Sequence, residues 1–189
     1  MKNVFLGLAI AAGLSLPLAA QQMGSANRNA QKVSTAVEFA DGSSIRVSYK
    51  ALNFAEGKFM EQLKNERFRT MLNENAKQNP CGSVAVSHDM TFSSGFQIPA
   101  GEYGLHFMLN EKGMWMAALS STNDEGDVEI KNFPLRLKEV ENHRQRLSIN
   151  LNAGDEVGQC TLAMQFGNMA LEVTGGRVAE KKDGEDKDG

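Results

Sequence analysis

The sequence predicts a mainly β fold, an antiparallel β-sandwich or open barrel of about eight or nine strands with one helical insertion. Three observations predict it. Apolar side chains recur at every second position through many short runs, the rhythm of a half-buried strand. Clusters of Gly, Asn, Asp and Ser separate those runs, and these are the residues that let a chain turn. A single stretch, residues 56–77, changes to Lys, Glu, Gln, Leu and Met, which favour helix.

The chain opens with Lys2, an apolar run over residues 4–16, Pro17, and the small pair Ala19 and Ala20. That layout predicts a signal peptide over residues 1–20, cleaved after Ala20, and hence a periplasmic or extracellular protein. The run is shorter than the roughly 20 residues that span a bilayer, and no later segment is apolar enough to form a transmembrane segment in the mature chain. Residues 21–30 are small and polar and read as a flexible leader, with the domain proper over residues 31–174. From Gly175 the chain is charged and poor in apolar residues, ending Lys-Lys-Asp-Gly-Glu-Asp-Lys-Asp-Gly. Residues 175–189 therefore read as a disordered tail, with too little to bury to offset the entropy of ordering.

Within the domain, residues 33–39 and 45–49 flank Asp41-Gly42-Ser43-Ser44 and predict a hairpin. Phe59, Leu63, Met71 and Leu72 recur at helical intervals, either in one helix or in two short ones divided near Asn65, and Asn79, Pro80 and Gly82 end the segment. Residues 83–92 alternate and read as one strand, followed by a turn at Ser93-Ser94-Gly95. A central hairpin is expected about Pro99-Ala100-Gly101, with Tyr103, Leu105, Phe107 and Leu109 on one face of its second strand and His106 on the outer face. Residues 114–119 carry Trp115, and residues 128–140, interrupted by Pro134, suit an edge strand, since proline cannot donate to a ladder. Leu147, Ile149 and Leu151 alternate, and so do Leu162, Met164 and Phe166; Gly167-Asn168 then turns into a last strand over residues 169–173.

Several of these pieces, in order, resemble the bacterial exported domain of unknown function 2911 (DUF2911) family. They are Val33-Ser34-Thr35-Ala36-Val37, Ser48-Tyr49, Gly57-Lys58, the run Pro99-Ala100-Gly101 with Tyr103 and Leu105, and the strand around Trp115. Against the family's W-R-x-G-A-N-E segment the chain has Phe68-Arg69-Thr70-Met71-Leu72-Asn73-Glu74. Arg69, Asn73 and Glu74 match, and Met71-Leu72 in place of Gly-Ala favours helix. The resemblance spans roughly residues 33–173 and implies a sandwich-like fold and an extracytoplasmic location, with no established activity.

Candidate chemistry is sparse. Arg69 and Asn73, one helical turn apart beside Glu74, could hold a carboxylate or a sugar hydroxyl, or could instead tie the insertion to the sheet. His88, next to Asp89 at a strand end, completes the candidate binding set. No histidine spacing suits a metal, and neither a nucleophile elbow nor a phosphate-cradling loop is present, so no cofactor or metal is expected. Cys81 and Cys160 both survive cleavage, and an even count in an exported chain predicts a disulfide between them. The net charge of −3, or −4 without Lys2, is spread along the chain and argues against nucleic acid as a partner. The expected function is a non-enzymatic module binding a ligand or a protein in the envelope or outside the cell. The alternative is a hydrolase of carbohydrate or ester bonds, with Glu74 acting beside His88 or Arg69.

Overall fold

The alternating runs become ten strands in the computed structural model, which describes residues 30–53, 61–123 and 127–178. In chain order these are β1 (Lys32–Glu38), β2 (Ser44–Lys50), β3 (Gly82–Val86), β4 (Met90–Phe92), β5 (Gln97–Ile98), β6 (Gly101–Leu109), β7 (Trp115–Thr122), β8 (Val128–Pro134), β9 (Lys138–Ala153) and β10 (Gln159–Arg177). Among the described residues a helix, α1 (Glu66–Gln78), lies between β2 and β3. A six-stranded antiparallel sheet runs β1-β2-β3-β6-β7-β8, and a four-stranded one runs β5-β4-β10-β9. The fold is thus the expected sandwich, without closure into a barrel.

The core fills the space between the sheets. Ile45, Val47, Tyr49, Val84, Val86 and Leu105 from the larger sheet meet Met90, Phe92, Ile98, Ile149, Leu151 and Met164 from the smaller, all buried. Each such side chain contributes roughly 1.5–3 kcal/mol by leaving water, which makes this contact the main source of stability.

Several expected elements come out differently, among them residues 128–140, which are divided between β8 in the larger sheet and the start of β9 in the smaller. Residues 83–92 are two strands in different sheets, because the chain leaves the larger sheet at Ser87-His88-Asp89 and enters the smaller one at Met90. It reverses at Ser93-Ser94-Gly95, where the Gly95 amide donates to the Phe92 carbonyl, and returns at Pro99-Ala100. The Pro-Ala-Gly corner is therefore a crossing between sheets. β5 pairs with β4, while β6 pairs with β3. The two crossings brace each other, since the Asp89 carboxylate accepts the Ala100 amide at 2.8 Å and the Tyr103 hydroxyl donates to the Pro99 carbonyl at 2.8 Å. Burial, and then the charge of Asp89, raise the Tyr103 pKa, so the hydroxyl keeps the proton it donates.

β10 is likewise one strand through Gly167-Asn168, where two expected strands would have turned. Its register against β9 slips on both sides of Gly167, leaving extra β9 residues opposite Phe166 and Asn168 and bending the ribbon there. The expected boundary at residue 174 also falls short. Gly175, Gly176 and Arg177 pair with Phe92, Thr91 and Met90, and the Arg177 guanidinium forms an ion pair with Asp41 in the β1–β2 turn. The signal peptide (1–20), residues 21–29 of the leader, Gly57-Lys58 and residues 179–189 of the tail lie outside the described residues.

The long flanks of the sandwich are closed by different means. At the β9 edge the Ile149 amide donates to the Tyr49 hydroxyl (2.9 Å), the Leu151 amide to the Thr35 hydroxyl (3.1 Å) and the Leu147 amide to the Leu52 carbonyl (2.8 Å). These groups occupy donors that an edge strand would otherwise offer to another chain. On the other flank the Phe96 and Phe133 rings pack with centroids 4.1 Å apart, joining the β4–β5 turn to β8.

No disulfide forms: both cysteines are free thiols. Cys160 is fully buried in the smaller sheet opposite Ala153, whereas Cys81 leads into β3 of the larger sheet and its thiol donates to the Leu105 carbonyl at 3.3 Å. Each serves as a small core-filling side chain. Burial pushes the Cys81 pKa from 9.0 up to about 12 and also raises that of Cys160. A thiol reagent at pH 8 is expected to leave the native protein unlabelled and to label both cysteines after denaturation; one labelled thiol in the native state would contradict this. Because the folded pKa of Cys81 lies above the unfolded one, its contribution to stability is complete below pH 9 and is lost as the pH rises toward 12.

Candidate functional site

The helix that carries the expected binding residues lies on the outer face of the larger sheet, across β6. Its start is set by Asn65, which stands where the sequence allowed a break and whose side chain accepts the Phe68 amide. Phe68, Arg69, Leu72, Asn73 and Ala76 are partly buried, at the spacing of one helical face, while Met71 points to solvent at 46% exposure.

The contacts of Arg69 and Asn73 are structural. The Arg69 guanidinium donates to the carbonyls of Leu63 (2.9 Å), Lys64 (3.0 Å) and Glu111 (3.2 Å), tying the turn before α1 to the β6–β7 turn. The Asn73 amide donates to the Leu109 carbonyl (2.7 Å) and accepts the Leu109 amide (2.8 Å), clasping the end of β6. Glu74 faces solvent and pairs with Lys77. His88 is exposed in the β3–β4 crossing, with Nδ1 3.1 Å from the Ser87 hydroxyl.

These four residues do not converge. Val86 pairs with Gly101 and Asn73 grips Leu109, so His88 and Glu74 lie near opposite ends of β6, roughly 25 Å apart along the strand. The acid and base of the hydrolase reading are therefore not brought together.

His106 lies on the outer face of the larger sheet, as its place in the alternation predicts. It points away from the sandwich, yet α1 covers it and leaves only 2% exposed. Nδ1 lies 2.7 Å from the Ala76 carbonyl and Nε2 2.8 Å from the Ser120 hydroxyl. A carbonyl only accepts, so Nδ1 donates to Ala76, and Nε2 shares a hydrogen bond with the Ser120 hydroxyl. This histidine pins the helix to the sheet.

A concave surface lies elsewhere, in the crook of the bent β9–β10 ribbon. It is a groove of about 650 Å³ on the outer side of the smaller sheet, with Ser148, Asn150, Ala163 and Gln165 along its base and Arg136, Lys138, Arg144 and Glu172 around it. Arg136, Lys138 and Arg144 are exposed, and among the described residues none of the three makes an ion pair. Nearby Glu139 accepts from the Asn168 amide at 2.8 Å.

The bend also positions a guanidinium. Gln165 Nε2 donates to the carbonyls of Asn142 and Gly167, spanning the irregular stretch, and its Oε1 accepts Arg144 Nε at 3.2 Å. Held by Nε, Arg144 keeps both terminal nitrogens free among the described residues, the fork that matches a carboxylate or phosphate.

Comparison of the chain with protein families, curated proteins and solved structures gives no match. Among the described residues no three His, Cys, Asp or Glu side chains converge as metal ligands would, and no helix is long and apolar enough to cross a membrane.

No sequence pattern singles out Arg136, Lys138, Arg144 or Gln165 as site residues. Residues 138–146 face solvent almost throughout, so they show no alternation to mark a strand. The available signal was chemical, an excess of basic residues at 136, 138, 144 and 146 over the acids at 139 and 141.

Proposed function

We propose that this chain is an exported β-sandwich module, of the DUF2911 kind, that binds a negatively charged ligand without acting on it chemically. The leader-like residues 1–20 support export, and the ordered Pro99-Ala100-Gly101, Tyr103 and Trp115 pieces support the family. The observation that carries the binding reading is the groove in which Arg136, Lys138 and Arg144 stand without acidic partners, Arg144 being braced by Gln165. The three cations outnumber Glu172, the one acid among the lining residues; such an excess in a concavity attracts anions, and a braced guanidinium gives them a geometry to match.

Titration of the protein with citrate, followed by amide chemical shifts, tests this. Shifts are expected at residues 136–144 and 163–172. Arg144→Gln is expected to weaken binding about ten- to a hundredfold, the range for losing one charge-assisted contact. Shifts confined to α1 and His88, or none at all, would refute the reading.

A further inference from the structure

We infer that the ligand of this groove is an acidic saccharide, a short run of sugars carrying carboxylates on alternate units; this rests on the anion-binding reading above. Lys138 faces Ala170 and Arg144 faces Gly167, so the backbone positions that carry the two cations are spaced by three residues of β10, roughly 10 Å. Acids on every second sugar of a chain present charges at such a separation, so each cation can meet its own carboxylate.

The surface between the charges suits hydroxyls. Asn150 Nδ2 donates to the Ser148 hydroxyl at 3.2 Å, which leaves the Ser148 proton and the Asn150 carbonyl oxygen for a ligand. Val140, Ala163 and Leu171 also line the groove and offer apolar contact to the C–H faces of sugar rings. The volume of about 650 Å³ is that of a site for a small organic ligand, well above what one inorganic anion fills.

An acidic peptide fits less well. Extended peptides gain affinity by adding main-chain hydrogen bonds to an open sheet edge. The groove lies on the face of a ribbon whose β9 and β10 backbones pair with each other on either side of the bend, and the nearby β9 edge is occupied at Leu147, Ile149 and Leu151.

The test is calorimetric titration of the protein with a hyaluronate tetrasaccharide, which bears a carboxylate on every second sugar, against its methyl ester and against pentaglutamate. The free acid is expected to bind at least tenfold tighter than either. Arg144→Gln and Lys138→Gln should each weaken it about tenfold with an unchanged melting temperature. Gln165→Leu, which releases the brace on Arg144, should weaken it less. Equal or tighter binding of pentaglutamate or of the ester would overturn the saccharide assignment. In the first case the anion-binding reading would survive, because citrate would still shift the groove residues. No binding of the free acid, or binding indifferent to Arg144 and Lys138, would also overturn it.

Discussion

Replacing His106 with leucine is expected to destabilise the protein by about 2–3 kcal/mol, lowering its melting temperature by roughly 5–10 °C. The leucine fills much of the same volume, so the loss comes from hydrogen bonding. The Ser120 hydroxyl is left beside an apolar group, and the Ala76 carbonyl keeps only the long 3.2 Å contact from the Asn79 amide. Ser120→Ala should cost less, about 1 kcal/mol, because the ring keeps its bond to Ala76. The double variant should cost less than the sum of the two, since both single changes break the same His106–Ser120 bond. Urea unfolding of the four proteins measures all three quantities, and additive costs would show that the histidine does not couple helix to sheet through Ser120.

Gly82→Ala should be at least as damaging, about 3 kcal/mol, for a reason of space. A methyl group at this position would collide with the Ser48 carbonyl oxygen and lie 2.9 Å from the Tyr49 Cα. Both atoms belong to the backbone of β2, which pairs Tyr49 with Gly82, so no side chain can swing aside and the strands must part. Tyr49 also caps the β9 edge, and the disturbance would reach the smaller sheet. Gly42→Ala provides the contrast. Gly42 has a φ of 82° but nothing within 4 Å, so alanine there costs only the backbone strain of about 1 kcal/mol. Equal unfolding midpoints for the two variants would contradict the steric account.

What the sequence made legible follows burial. Strands with one face in the core, such as β1, β2 and β6, carry the two-residue alternation and fall within a residue or two of their expected positions, whereas β7, which does not alternate, runs three residues past its expected end. Partners are a different matter. Alternation marks a strand but says nothing of which sheet receives it, so residues 83–92 read as continuous and Pro99-Ala100-Gly101 as a hairpin turn, though both are crossings between layers. The first half of β9 escaped notice because neither face is buried. At the candidate site, the one-turn spacing of Arg69 and Asn73 correctly placed them together on α1. The carbonyls that take up their donors, at Leu63, Lys64, Glu111 and Leu109, come from turns and from a strand end that no local pattern could bring near. The groove depends on a bend in paired strands, and register is a property of two segments jointly.

The position of β10 in the smaller sheet constrains how the polypeptide acquires its shape. β4 and β5 find their lateral partner only in Gly175, Gly176 and Arg177, more than eighty residues downstream of Phe92. Until that last segment has been synthesised, the four-stranded layer cannot assemble, and the greasy side of the six-stranded one stays uncovered. Contacts so distant in sequence slow folding to milliseconds or longer. A nascent chain of this kind remains pliable until β10 has been made.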